Sequence, residues 1–220
     1  MHLPNGTQIF IESARDQEKE ATAITNAKDP VFTIAESGLA KNDLVIVTES
    51  VWGKLVNRVM RVKSVDDSNV TIEGIDTTDE NVFPKGGAVT AKVAKLTGWT
   101  EIPCVQDLAQ DGGEQQYYTY QCLSDDQEQQ LPTFKSAVSL TYTFAHEYDN
   151  AIYPLLRMKD ETGAVTAVRM YIPKAQEIRL FSGVLSFNDI PQTTINEMET
   201  VSLSVSLKGK FTFLSSKPNA

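Results

Sequence analysis

Two segments of this chain alternate apolar and small polar side chains without a break, and that period of two constrains the fold more than any other feature. In residues 136–145, Val138, Leu140, Tyr142 and Phe144 alternate with Ala137, Ser139, Thr141 and Thr143. In residues 199–208, Val201, Leu203, Val205 and Leu207 alternate with Thr200, Ser202, Ser204 and Ser206. Successive side chains of a strand point to opposite faces, so each segment predicts a strand with one apolar and one small polar face.

Shorter runs of the same kind, bounded by Gly, Asn, Asp and Pro, recur at 7–13, 43–48, 55–65, 69–74, 88–96, 117–123, 164–172 and 177–187. The cluster Asp66-Asp67-Ser68-Asn69 supplies a turn that groups 43–74 into a compact meander, and the break at 81–87 reads as the exit from a small β-barrel module. Between 106 and 113 the composition turns polar, and 124–130 is acidic, so 106–130 is expected to be a long polar loop around one short strand. Helix signals are confined to 145–158, interrupted by Pro154, and 191–198. The expected fold is mainly β, with at most one or two short helices. Its expected core domain is residues 1–37 and 97–220, with 38–96 as an inserted small β-barrel-like module.

With 29 acidic against 20 basic residues the chain carries a net charge of -9, and its pI is near 4.8. A protein that wraps DNA needs Lys and Arg to displace condensed counterions, so the long-range field here repels nucleic acid. No segment approaches the roughly 20 apolar residues of a membrane-spanning helix. The opening Met1-His2-Leu3-Pro4-Asn5-Gly6 lacks a basic and then apolar leader, which points to synthesis in the cytoplasm.

Candidate reactive groups are few. Cys104 and Cys122 do not have zinc-site spacing, a disulfide between them would be unusual for a cytoplasmic product, and both are expected to be ordinary buried or half-buried thiols. Asp76-Thr77-Thr78 has two of the three residue types of an aspartic-protease loop but Thr in place of the Gly, which favours a turn in which Asp76 caps local N–H groups. His2 and His146 have no nucleophile at recognisable spacing, and His146 reads as a surface residue beside Glu147. The run Asp125-Asp126-Gln127-Glu128 lacks the Gly and distal Glu of a calcium loop. Tyr117, Tyr118 and Tyr120, with Trp52 and Trp99, lack the basic groove of a single-strand binding platform, so core and interface packing is expected for most of these rings. No cofactor or metal is implied.

Several segments in chain order nevertheless form a pattern. They are Gly6-Thr7-Gln8-Ile9-Phe10-Ile11-Glu12; Gly38-Leu39-Ala40-Lys41-Asn42-Asp43-Leu44-Val45-Ile46-Val47; Asn57-Arg58-Val59-Met60-Arg61-Val62; Ile72 to Asp79; and Gly183-Val184-Leu185-Ser186 leading to the strand at 200–208. Together they resemble the tail tube proteins (major tail proteins) of siphovirus-type bacteriophages. The resemblance implies a β-sandwich or split-barrel subunit, non-enzymatic, that self-assembles into hexameric rings stacked as a virion tail tube. Its implied partners are further copies of itself and the tape measure, tail terminator and tail tip proteins, with DNA passing through the lumen during ejection. On this reading Ser139, Thr141, Thr143, Thr200, Ser202, Ser204 and Ser206 line the lumen, while Asp111, Glu114, Asp125, Asp126 and Glu128 contact the next ring. The alternative is a non-enzymatic β-sandwich binding module of a phage tail tip or fibre, recognising carbohydrate through exposed aromatics.

Overall fold

A computed structural model describes residues 5–86 and 88–216. Strand accounts for 53% and helix for 7%, so the chain is mainly β, as the alternating patterns require. In chain order the elements are β1 (Gln8–Arg15), β2 (Lys19–Ile24), β3 (Val31–Ile34), β4 (Leu44–Ser50), β5 (Val59–Asp66), β6 (Asn69–Glu73), β7 (Ala91–Glu101) and β8 (Val105–Asp111). They continue with β9 (Gln115–Tyr120), β10 (Gln129–Lys135), β11 (Ser139–Ala145), α1 (Ile152–Thr162), β12 (Val165–Ile172), β13 (Glu177–Gln192), β14 (Thr200–Leu207) and β15 (Thr212–Ser215).

Six strands close into a barrel in the order β2-β3-β6-β5-β4-β7, with β7 pairing back to β2. Inward-pointing Phe32, Ile34, Val45, Val47, Met60, Val62, Val70, Ile72 and Val93 fill it, and Trp52 meets Phe83 edge-on at 5.3 Å in the same buried cluster. The barrel draws β2 and β3 from residues 19–34 as well as the meander that the Asp/Asn turn at 66–69 predicts.

β7 is shared. Its first half belongs to the barrel, and its second half pairs with β1, which begins the remaining sheet β1-β12-β13-β14-β11-β8. This sheet curls on itself. Ile9 and Ile11 of β1 lie in the same buried cluster as Leu140, Tyr142 and Phe144 of β11, and Val105 of β8 packs on that cluster. Across the opening, Gly6, Thr7 and Ile9 face Val105 and Leu108 over one cleft, although β1 and β8 do not pair. The result is a split barrel whose core is completed by Ile152, Tyr153 and Leu156 of α1.

The helix lies later than 145–158. Pro154 is its third residue and sits in the first turn, where a missing N–H costs nothing; the proline therefore starts the helix instead of interrupting it. Asn150 Oδ1 accepts from the Ile152 N–H at 3.1 Å just before it. No helix forms in 191–198, because β13 runs on to Gln192 and a turn follows.

The barrel packs its outer face on the split barrel. Leu44, Ile46, Val59, Ala94 and Leu96 meet Ala167, Leu180 and Leu214 in a third buried cluster. Polar ties flank it: Arg61 is paired with Glu73 and donates to the Ser215 carbonyl at 2.9 Å, and Arg58 donates to Thr212 Oγ1 at 3.4 Å.

Candidate assembly surfaces

The register between β11 and β14 brings the seven hydroxyl residues together. Ser139 lies opposite Ser206, Thr141 opposite Ser204, Thr143 opposite Ser202 and Ala145 opposite Thr200. Thr141 and Ser204 hydroxyls are 3.1 Å apart, within hydrogen-bonding distance. On the reverse face Leu140, Tyr142, Phe144, Val201, Leu203 and Val205 are all buried, whereas the hydroxyl residues are half-buried or exposed. Alternation in the two segments therefore becomes one continuous polar surface backed by core.

The surface is wider than two strands. On β8, Asp107, Ala109 and Asp111 lie opposite Thr143, Thr141 and Ser139, and on β13, Ser186 and Asn188 lie opposite Ser204 and Ser202. None of β8, β11, β14 or residues 183–192 contains Lys or Arg, so the face is neutral to acidic throughout. Sequence reading missed Asp107, Ser186 and Asn188, because only pairing reveals which residues extend a face across neighbouring strands. Asp111, grouped above with the acidic loops, is the last residue of β8 and paired with Ser139 on this surface.

Among the described residues β8 is the free end of the long sheet, since the other end closes on itself in the barrel. All its residues but Val105 are exposed on both faces, Leu108 among them. An edge strand open on both faces is a template for pairing with another chain.

The expected long loop at 106–130 is instead mostly strand. β8 occupies its start, and β9 and β10 form a separate two-stranded sheet with Tyr120 opposite Gln129 and Tyr118 opposite Leu131. Glutamine-rich β10 carries little of the β-branched signal by which strands are read, so pairing with β9 decides it. Gly112 and Gly113, at φ +79° and +90°, turn the chain out of β8 into this hairpin, and Ser136 Oγ accepts from the N–H groups of Gly113 and Glu114 at 3.0 Å each. Glu114 thus stands at the root, while Asp125, Asp126 and Glu128 form the far turn, braced where Gln121 Nε2 donates to the Asp125 carbonyl at 2.7 Å. Tyr117, Tyr118, Leu123, Leu131 and Phe134 are exposed along the hairpin, so the tyrosine cluster is not core packing within the subunit.

The remaining candidates resolve into local structure. Asp76 accepts from the Thr78 hydroxyl at 2.6 Å and the Thr78 N–H at 2.9 Å, and these bonds hold its carboxyl below its ordinary pKa. Thr77 is buried, its hydroxyl accepting from the Ala27 N–H at 3.0 Å and lying 3.0 Å from the carbonyls of Thr25 and Ala27, so this segment is an irregular connection after β6 held by local hydrogen bonds. His146 Nδ1 is 2.7 Å from the Tyr153 hydroxyl, so its partner is the helix tyrosine and not the adjacent Glu147. Cys104 and Cys122 are free and exposed, contrary to the expected burial, since one precedes β8 and the other sits on the hairpin. His2 lies outside the described residues.

Residues 50–216 match the family model of the phage tail tube protein, TTP. Comparison with curated proteins gave no match. A split barrel with a polar outer face, an open edge strand and a projecting hairpin is built for association, and with a family match over more than half of its length the chain belongs to the phage tail tube protein family.

Proposed function

We propose that the chain closes into hexameric rings, stacked along a tube whose lumen is the hydroxyl surface of β8, β11, β14 and the second half of β13. The observation that carries this reading is the in-register polar face itself: eight hydroxyls and two aspartates over four strands, with no cation. Small hydroxyls stay hydrated and give phosphates neither salt bridges nor stacking platforms. In a ring of subunits each carrying -9, the field on passing DNA is weak or repulsive, which keeps the genome centred and lets it slide. The free edge of β8 supplies the lateral pairing that closes each ring. Glu114 and the turn at Asp125, Asp126 and Glu128 belong to contacts between rings, and tape measure, terminator and tail tip proteins meet the tube's ends. The subunit is a structural component of the virion tail and has no enzymatic role. The barrel is a peripheral module, and β2 and β3 travel with it because they pair only within it.

Replacing Ser202 and Ser204 by Lys tests the lumen. Val201, Leu203 and Val205 still pack, so tubes should assemble, but ejection should slow at low salt and recover as salt rises, because counterions compete with the new lysine–phosphate contacts. Normal ejection at low salt from correctly assembled tubes would move the lumen to another face.

A further inference from the structure

Arg169, on the outer face of β12, has its guanidinium 4.3 Å from the Phe10 ring centre and 5.1 Å from that of Trp99. Among the described residues its buried Nε has no hydrogen-bond partner and its guanidinium no ion pair. It borders an open groove of about 550 Å³ whose walls include Gln8, Phe10, Tyr171, Pro173, Gln176 and Ile178, and among the described residues no carboxylate lines it. In a chain with 29 acidic against 20 basic residues, a cation stacked on two aromatic rings with no carboxylate beside it is a site awaiting an anion. Stacking on two rings holds the fork in place, so little freedom is lost when a carboxylate binds.

The hairpin of β9 and β10 has the complementary chemistry. Its turn carries Asp125, Asp126 and Glu128, and beside the turn stand exposed Leu123, Tyr118 and Leu131. Among the described residues the two strands pair only with each other. A lone two-stranded hairpin is marginal in water and needs a surface to settle on.

We propose that the acidic turn of one copy docks in the Arg169 groove of a second copy, carboxylate on guanidinium, with Leu123 and Tyr118 laid over the apolar wall. This rests on the self-assembly proposed above and names the receptor for the hairpin. The native thiol of Cys122, exposed on the hairpin, reports the contact. In a Cys104→Ser background, Gln176→Cys places a second thiol on the groove wall. Oxidised tubes of that variant should run as a disulfide-linked ladder, whereas the background alone, or with Val51→Cys at the exposed barrel tip, should give none. Adding Arg169→Glu should cut ladder yield at least tenfold. Pro173→Cys replaces Gln176→Cys if the latter fails to fold. Tubes in which the groove thiol gives no more ladder than the barrel-tip thiol would overturn the docking. Absence of any tubes from the unsubstituted chain would instead overturn the assembly reading beneath it.

Discussion

Tyr142 illustrates how a single residue can serve the alternating pattern and still carry a cost. Its ring is fully buried in the core of the split barrel, but among the described residues its buried hydroxyl has no hydrogen-bond partner. An unpaired buried hydroxyl costs about 1–3 kcal/mol. Tyr142→Phe should therefore raise stability by about 1 kcal/mol at neutral pH, read as a higher urea midpoint. Burial also raises the phenol's pKa well above its ordinary value of 10.0. The folded state then keeps a proton that the unfolded chain loses, so stability is full below about pH 10 and falls as pH rises beyond it. The Phe variant should show a shallower alkaline loss. Gly209 is the opposite case. A Cβ there would collide with the Asn57 carbonyl oxygen, at the point where the barrel meets β13 and β15. Gly209→Ala should cost about 1–3 kcal/mol, and more if the two bodies cannot shift apart. Glu12 is fully buried and accepts from Arg15 at 2.8 Å and from the Ala167 N–H at 2.8 Å. Removing it in Glu12→Ala orphans that N–H, for an expected loss of about 1–3 kcal/mol.

Among the elements, β8 and the β9–β10 hairpin stand apart because almost none of their surface is covered in the single subunit. Elements with few buried contacts open at low free energy, so their amides should exchange rapidly in dilute subunit. On assembly they should slow by at least about tenfold, a protection of roughly 1.4 kcal/mol, while β12 and β13 change little. Equal exchange of β8 in subunit and tube would remove it from the lateral contact. Equal exchange of the hairpin would remove it from the contact between rings.

At the level of the whole molecule, the chain enters and leaves the barrel at adjacent points: the Asp16 N–H donates to the Lys95 carbonyl at 2.9 Å. Excising 17–95 and joining Asp16 to Leu96 through one added glycine, which gives a two-residue loop between the paired Arg15 and Leu96, removes the barrel with little strain on β1 or β7. It also uncovers Leu180, Leu214 and Ile178, which must be made polar to prevent aggregation. If the barrel is peripheral, as we propose, the shortened chain should form tubes of smaller outer diameter and unchanged lumen by electron microscopy. A soluble shortened chain that never assembles would place the barrel in the subunit contacts.

Much of this was legible from residues alone. Strict alternation in 136–145 and 199–208 determines two strands and the composition of each face, because strand geometry sends neighbours to opposite sides. The turn at 66–69 likewise follows from residue types that tolerate its backbone, Asp67 taking φ +53°. What alternation cannot reveal is which strands lie side by side. That β2 and β3 join the barrel, that β8 extends the hydroxyl face with Asp107 and Asp111, and that Gln129–Lys135 is a strand at all were decided by pairing partners distant in sequence. The Arg169 groove belongs to the same class: Phe10, Trp99 and Arg169 are scattered along the chain and meet only because β1 lies between β7 and β12. Local periodicity sets the two sides of a strand, but long-range hydrogen bonding sets its neighbours, and the surfaces of this protein are made of neighbours.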